Sequence, residues 1–360
     1  MRRTAALIVG GGPAGCAAAI GLARAGAEAE LWERSEGPRD IVCGGFLGWD
    51  ALAAIGKLGL SPQALGARPI GELRLFAGGR RVSVALPRAA AGLSRRRLDE
   101  ALLEAAAAAG VRVGRGRSVR AAEPELRRIR FDDGEEVEAK RLVLATGKHE
   151  LRGAARPLGA GPHPLGLRTA LRPSAGLAAA LEGAIELHLY DGGYAGLLLQ
   201  EDGRANLCLS AAPGLLREAG GPEALVAALA AANPALSERL DAGEAGPWSA
   251  VSNVPYGWRR RETEEGVYRV GDQAAVIASI AGDGIAIALE SGLALGRAVA
   301  GGRSAAAFQR KWAGRAARPV RIAEALRRSA ERPGPRTALM AALGWFPGLA
   351  PLAARLTRIA

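Results

Sequence analysis

An apolar run from Ala5 to Val9, with β-branched residues, opens the chain and suits a short strand buried on both faces. Gly10-x-Gly12-x-x-Gly15 follows at once, and the small residues from Ala14 to Ala25 predict a helix that Gly26 stops. A second strand is expected over Glu28 to Trp32, ending in Glu33. The loop from Arg39 to Gly48 holds Cys43-Gly44-Gly45 and leads to a helix from Asp50 to Leu58. Leu73 to Leu75 and Arg81 to Leu86 alternate like paired strands about Gly78-Gly79. Ser94 begins a helix that runs through Leu98, Leu102 and Leu103 to Gly110. Val111 to Arg120 and Arg127 to Ala139 read as strands, the latter a hairpin about Asp132-Asp133-Gly134. Arg141 to Ala145 is a further buried strand, closing on Thr146-Gly147.

Between about Pro164 and Arg261 the pattern turns strand-rich, with Ala184 to Tyr190, Gly196 to Gln200 and Ala205 to Ser210, then a helix around Pro222 to Ala232. Val267 to Val270 leads into Gly271-Asp272, and a long small-residue helix spans Gly284 to Val299. Nucleotide-type elements therefore surround a strand-rich insertion. The expected fold class is α/β, a Rossmann-like domain made of residues 1–70, 92–163 and 264–300. A substrate domain of residues 71–91 and 164–263 is inserted in it, and a helical segment of residues 301–360 follows. No internal repeat is evident.

Composition changes this picture little until charge is followed along the chain. The 360 residues are 49% hydrophobic and 23% charged, an ordinary globular balance with room for a sizeable core. Cys16, Cys43 and Cys208 are widely spaced and lack a CxxC, which argues against a disulfide framework or a zinc site and fits a reducing cytosol. His149, His163 and His188 are too scattered for a metal cluster. The longest apolar stretch, Ala274 to Leu295, is broken by Asp283 and Glu290, so the expected location is cytoplasmic, soluble or peripheral to a membrane. Net charge is +12, yet residues 301–360 carry 12 Lys or Arg against only Glu324 and Glu331, leaving +2 for the first 300 residues. Such a segment implies an anionic partner, a membrane surface or an acidic redox protein; no nucleic-acid motif accompanies it. Arg336 to Ala360 mixes Leu339, Trp345, Phe346, Leu349 and Leu352 with Arg355 and Arg358. Two readings fit: an amphipathic element in a bilayer interface, or a helical pair packed on the body with solvated arginines.

The first glycine cluster carries the chemistry. Gly10 permits a tight turn, Gly12 lets backbone approach a pyrophosphate, and Gly15 lets helix and strand pack closely, with Pro13 and Ala14 beginning the helix. Free N–H groups and the positive dipole end there would hold phosphates, and Glu33 is placed to accept hydrogen bonds from ribose hydroxyls. This is a dinucleotide site.

The arrangement resembles the FAD-dependent oxidoreductase superfamily of para-hydroxybenzoate-hydroxylase-like monooxygenases and geranylgeranyl reductases, over roughly the first 300 residues. The resemblance rests on Gly10 to Gly15 with Glu33, on Ser94-Arg95 with Asp99, on Leu142 to Gly147 with Lys148 to Arg152, and on Arg269-Val270-Gly271-Asp272 followed by Gly282-Asp283-Gly284-Ile285 with Ala288. It implies FAD as cofactor, with Arg95 near its phosphate and ribityl region and Asp272 accepting from ribityl hydroxyls. Gly282, Gly284 and Ile285 would then face the isoalloxazine, and Arg34, Cys43, Gly44, Val119, Thr146 and Gly147 would add contacts. The Cys43-Gly44-Gly45 loop is similar to that of the geranylgeranyl-reductase branch, where the cysteine lies near the active site. The thiol either gives a proton or shapes the pocket, or it is a small buried cysteine beside a turn. Gly193-Tyr194-Ala195-Gly196 resembles the substrate-domain strand of these reductases, which makes Tyr194, Gly196 and Leu198 pocket residues. Gly196, Leu198 and Leu199 stand where archaeal reductases carry an aromatic pair and a proline. Hydroxylases have Asp-Gly where this chain has Thr146-Gly147, which argues against NADPH reduction in the hydroxylase manner and leaves two sources of electrons open, another donor or NAD(P)H bound differently. The implied activity is hydride transfer between flavin N5 and an apolar, prenyl- or polyketide-like substrate. The alternatives are monooxygenation through a flavin hydroperoxide and an electron-transfer module without its own substrate.

Overall fold

Gly10, at φ +106°, turns the chain from β1 (Arg2–Val9) toward α1 (Pro13–Arg24), whose first position is the proline best suited to it. The computed structural model describes residues 1–159 and 161–359; Ala160, within the span expected for the nucleotide domain, and Ala360, the last of the expected C-terminal segment, lie outside the described residues. After α1 come β2 (Glu30–Glu33), β3 (Phe46–Leu47), α2 (Trp49–Lys57), β4 (Arg68–Ala77), β5 (Arg80–Gly92) and α3 (Arg95–Ala108). Four strands follow: β6 (Arg112–Arg115), β7 (Val119–Glu123), β8 (Arg128–Phe131) and β9 (Glu136–Leu144). The next stretch holds β10 (Leu165–Pro173), α4 (Ala175–Leu181), β11 (Gly183–Tyr190), β12 (Gly193–Leu199) and β13 (Ala205–Ala211). Then come α5 (Pro213–Ala219), α6 (Pro222–Ala231), α7 (Pro234–Asp241), β14 (Gly243–Ala245), β15 (Ser249–Val251) and β16 (Val267–Arg269). Four helices close the chain: α8 (Gly284–Ala300), α9 (Ala305–Ala330), α10 (Pro333–Trp345) and α11 (Leu349–Leu356).

The result is a mixed α/β architecture with two sheets. The first has the order β6-β2-β1-β9-β8-β7, with β16 also on β9. Its strands β6, β2, β1, β9 and β16 are parallel, while β7 and β8 fold back antiparallel. The pattern of β9 records both surroundings. Where it pairs with β8, buried Val137 and Ala139 alternate with more open Glu136 and Glu138; between β1 and β16, Leu142-Val143-Leu144 is buried throughout. The second sheet has the order β14-β10-β13-β12-β11-β4-β5-β3, with β15 on β10, and only β11 on β4 is parallel. Its edge strand β3 and the start of β4 come from residues before position 71.

The strand expected over Val111 to Arg120 is two strands, because Gly116 at φ +78° breaks it between β6 and β7. Three short helices, α4, α5 and α7, stand in the insertion where the apolar pattern gave no helical period. The C-terminal helical pair packs on the body, with Met340 and Leu343 buried. Its arginines are not all solvated: Arg358 is buried, because two carboxylates of the body meet it there. Among the described residues no single helix is long and apolar enough to cross a membrane.

One seam brings the two glycine-rich ends together. A Cβ on Gly292 of α8 would come within 2.6 Å of the Ala14 carbonyl oxygen and the Ala18 nitrogen, and one on Gly296 within 2.6 Å of Gly21. Only glycine allows α1 and α8 to approach so closely. Gly271, at φ +59°, lies against Ala14 in the same way.

Candidate functional site

A cavity of about 890 Å³ runs between the sheets, a volume in the range of pockets for small molecules and cofactors, about 300–1,000 Å³. At one end Gly10, Gly12, Pro13 and Ala14 line it with Glu33, Arg34, Arg95 and Val119. Further along come Cys43, Gly44, Thr146, Gly147, Gly271 and Asp272, then Gly282, Gly284 and Ile285. Tyr194, Gly196 and Leu198 of β12 line the far part. Gly15 is absent from the walls: it is buried under the loop, where a Cβ would overlap the Gly10 carbonyl.

The first end has the donors for a dinucleotide. α1 begins at Gly12 with no side-chain cap, so its first N–H groups are left for a ligand. A Cβ at Gly12 would lie 3.2 Å from the Arg95 guanidinium, in the space a phosphate would need. Arg95 is held in a two-point pair with Asp99 (Nε–Oδ1 2.8 Å, Nη2–Oδ2 2.7 Å), one turn into α3, and Ser94 caps that helix by accepting the Arg97 N–H. Burial works against the Arg95 charge, and Asp99 more than restores it, so the pKa lies above its ordinary value. The Cys16 thiol, pushed well up by burial, donates to the Gly11 carbonyl at 3.1 Å and has a packing role.

Glu33 accepts from the Gly11 N–H at 2.8 Å and the Ser35 N–H at 3.0 Å. Burial raises its pKa, but these donors and Arg39 prevail and hold the carboxyl below its usual value. Its contribution is therefore full above the ordinary carboxylate pKa, about 4.3, and is lost as pH falls through the lowered folded value. Glu33→Gln is expected to weaken FAD binding about 10- to 100-fold near neutrality, the effect of losing a charged acceptor. The same change should flatten the acid limb of flavin retention; an unchanged acid limb, read by flavin fluorescence, would assign that limb to another group.

At the second end the Gly271 N–H donates to the Ser291 hydroxyl at 2.8 Å. Arg156 donates to the Asp272 carbonyl at 2.7 Å, and Gln273 Nε2 donates to the carbonyls of Gly147 (3.0 Å) and His149 (3.2 Å). The Asp272 carboxylate has no hydrogen-bond partner among the described residues, so it is available to ligand hydroxyls. Asp283, at the start of α8, does not cap that helix; its carboxylate meets Arg358 instead. α1 and α8 thus both start at the cavity with N–H groups that no side chain caps, and this donor set fits a flavin dinucleotide laid from α1 to α8.

The Cys43 loop is pinned from beneath. Asn206 Nδ2 donates to the carbonyls of Cys43 (3.0 Å) and Gly44 (2.9 Å), while Arg168 Nε donates to Asn206 Oδ1 at 2.8 Å. Cys208 also lines the cavity, its thiol pushed up to about 12 mainly by burial. Lys148 Nζ donates to the Val42 carbonyl at 3.3 Å; burial opposes its charge, but Tyr256, Asp272 and the two cysteines raise its pKa. Tyr194 and Tyr256 both hydrogen-bond the Ser279 hydroxyl, the latter at 2.5 Å. Sequence reasoning missed Cys208, Tyr256 and Ser279 as site residues, for no spacing connects them. Lys148 sat beside Thr146-Gly147, which was its one signal.

Residues 3–157 match the FAD binding domain family. A menaquinone reductase of Mycobacterium tuberculosis is 31% identical over 162 residues, which is 42% of this chain and 38% of that protein. The matched region is thus well under half the length of such curated relatives. A geranylgeranyl bacteriochlorophyll reductase-like protein from Thermoplasma acidophilum superposes with a TM-score of 0.78 at 18% identity, over 100% of this chain and 94% of the other. A flavin-dependent brominase superposes with a TM-score of 0.79 at 16% identity, over 99% of this chain and 93% of the other. Residues 3–157 thus form an FAD-binding domain, and the chain as a whole shares the fold of these two solved structures.

Proposed function

We propose that this FAD-dependent oxidoreductase is a reductase of an apolar, prenyl-bearing substrate of the lipid-quinone kind. One observation carries the reading. The cavity continues beyond the α8 end into an apolar chamber roofed by Leu73, Leu75, Ile185, Leu187 and Leu198 and closed by Leu339 and Leu343 of α10. Such a chamber excludes water and suits a hydrocarbon chain. The curated relatives named menaquinone reductase point to the same substrate class.

Bound FAD would supply the hydride, and NAD(P)H is a candidate source of its electrons. The residues of the chain then have a proton to deliver. Tyr194 is buried, which pushes its hydroxyl pKa well up and keeps it protonated at neutral pH. Ser279 links it to Tyr256, which is partly open to solvent and can restore the proton. With that hydride supplied, Tyr194 would give the proton that completes saturation of one carbon–carbon double bond. Lys148 and the Cys43 loop shape the polar edge of the chamber.

The test is anaerobic turnover of the holoprotein with NADPH or dithionite as donor and a prenylated naphthoquinone as substrate. The expected product is the substrate with one double bond saturated, formed without oxygen. A product that forms only in air and carries an oxygen atom from labelled O₂ would overturn the reading in favour of a monooxygenase. Tyr194→Phe and Ser279→Ala are expected to lower kcat about 10²- to 10⁴-fold with flavin content unchanged, as loss of a general acid does. Full turnover in both variants would remove the hydroxyl relay.

A further inference from the structure

The C-terminal helices leave one apolar surface uncovered. α10 and α11 meet at a bend of 115°, and residues 337–354 contain no charged side chain. At the bend Trp345 is 79% exposed, Phe346 62%, Leu349 41% and Leu352 51%. Single exposed apolar residues are ordinary, but four within eight positions form a patch. The inner side of α10 is committed, since Met340 and Leu343 pack with Leu75, Leu187 and Leu189. Leu349 and Leu352 also line the chamber, so the patch and the chamber share walls.

We propose that the α10–α11 elbow docks on an anionic lipid bilayer, with Trp345 and Phe346 seated at the interface and the chamber opening toward the acyl chains. Charge selects this occupant. The patch is bounded by Arg332 and Arg336 on one side and Arg355 on the other, and residues 301–360 carry +10 of the net +12. Arg332 and Arg355 are exposed and make no ion pair among the described residues. A second copy placed symmetrically on this patch would bring two such basic segments together, which repulsion disfavours. At 13 and 8 residues neither helix is long enough to cross a bilayer by itself, and the 115° bend between them suits the pair to lying in one leaflet. Trp and Phe beside basic residues are what an interface favours. A hydrocarbon substrate could then pass from lipid to chamber without crossing water, a step that deepens the reductase reading; the docking itself rests on exposure and charge.

The holoprotein should float with vesicles of phosphatidylcholine mixed with phosphatidylglycerol, far less with phosphatidylcholine alone, and lose binding as salt rises. Trp345→Ser with Phe346→Ser is expected to weaken binding on the order of 100-fold, and Arg332→Gln with Arg355→Gln about tenfold. Flavin content and thermal midpoint should stay unchanged in both variants, since these side chains face outward. Failure of the wild type to bind anionic vesicles, or equal binding by the Trp345/Phe346 variant, overturns the proposal. So does a dimer, seen by light scattering, that the same variant dissolves, because the patch would then belong to a second copy. Vesicle binding needs no substrate, so this inference and the reductase reading fail in separate experiments.

Discussion

Gly292→Ala is expected to destabilise the protein and to strip it of flavin, although alanine is the better helix former. In an open helix the exchange stabilises by about 1 kcal/mol. Here the new Cβ would meet the Ala14 oxygen and the Ala18 nitrogen at 2.6 Å and the Ala17 Cβ at 2.7 Å. Two of these are backbone atoms of α1, which cannot turn aside as a flexible side chain does. Overpacking of this kind costs about 1–3 kcal/mol beyond any propensity gain, and a valine, with two more methyl groups, should cost more. The helices must therefore part. Parting moves the start of α1 away from Gly271, whose own missing Cβ allows contact with Ala14, and this separates the two groups of donors that one cofactor must bridge. Gly314→Ala in α9 is the control, for nothing lies within 4 Å of a Cβ there, and it should gain up to about 1 kcal/mol. Thermal denaturation and the ratio of flavin to protein absorbance measure both effects. A Gly292→Ala protein as stable and as yellow as the wild type would show that the seam yields.

What could be read from the chain alone follows from what the ligand asks of it. A dinucleotide demands backbone rather than side chains at its phosphates, so Gly10, Gly12 and Glu33 stand at fixed spacings behind an apolar strand, and the α/β class with its FAD-binding unit was legible from them. Gly271-Asp272 and Gly282 to Ile285, singled out from the second glycine cluster, line the same cavity. The hydroxyls of Tyr194, Ser279 and Tyr256 were not legible, because they meet only when the insertion sheet folds over the segment before α8. Nor could composition separate Arg358 from the exposed arginines around it, since a formal charge count is blind to burial. The division of Val111 to Arg120 at Gly116 was readable in principle: a glycine within a strand pattern often marks a break.

Arg358→Ala is expected to damage both stability and flavin binding, from a position two residues before the end of the chain. The guanidinium is 6% exposed, lies 4.1 Å from the centre of the Trp49 ring, contacts Asp283 and stands 3.8 Å from Asp50; both carboxylates are fully buried. Gly48 leaves room for it, as a Cβ there would reach 2.6 Å from Arg358 Nη1. Removing the cation strands two carboxylates away from water, and breaking a buried pair in this way costs about 3–5 kcal/mol. Arg358→Lys should fall between, because the ammonium keeps the charge but gives up the planar fork and the stacking on Trp49. Asp283→Asn in the Arg358→Ala background should recover part of the loss, since an amide needs no counter-charge. The effect on flavin has a separate cause. Without Arg358 the Asp283 carboxylate is free to cap α8, the ordinary role of Asp at that position, and it would then compete for the N–H groups that the cofactor needs. Urea denaturation and flavin titration therefore separate two consequences of one substitution: stability follows the buried charge, whereas affinity follows the cap. If Arg358→Ala loses stability yet binds FAD as tightly as the wild type, then Asp283 does not turn and the uncapped start of α8 does not depend on the arginine.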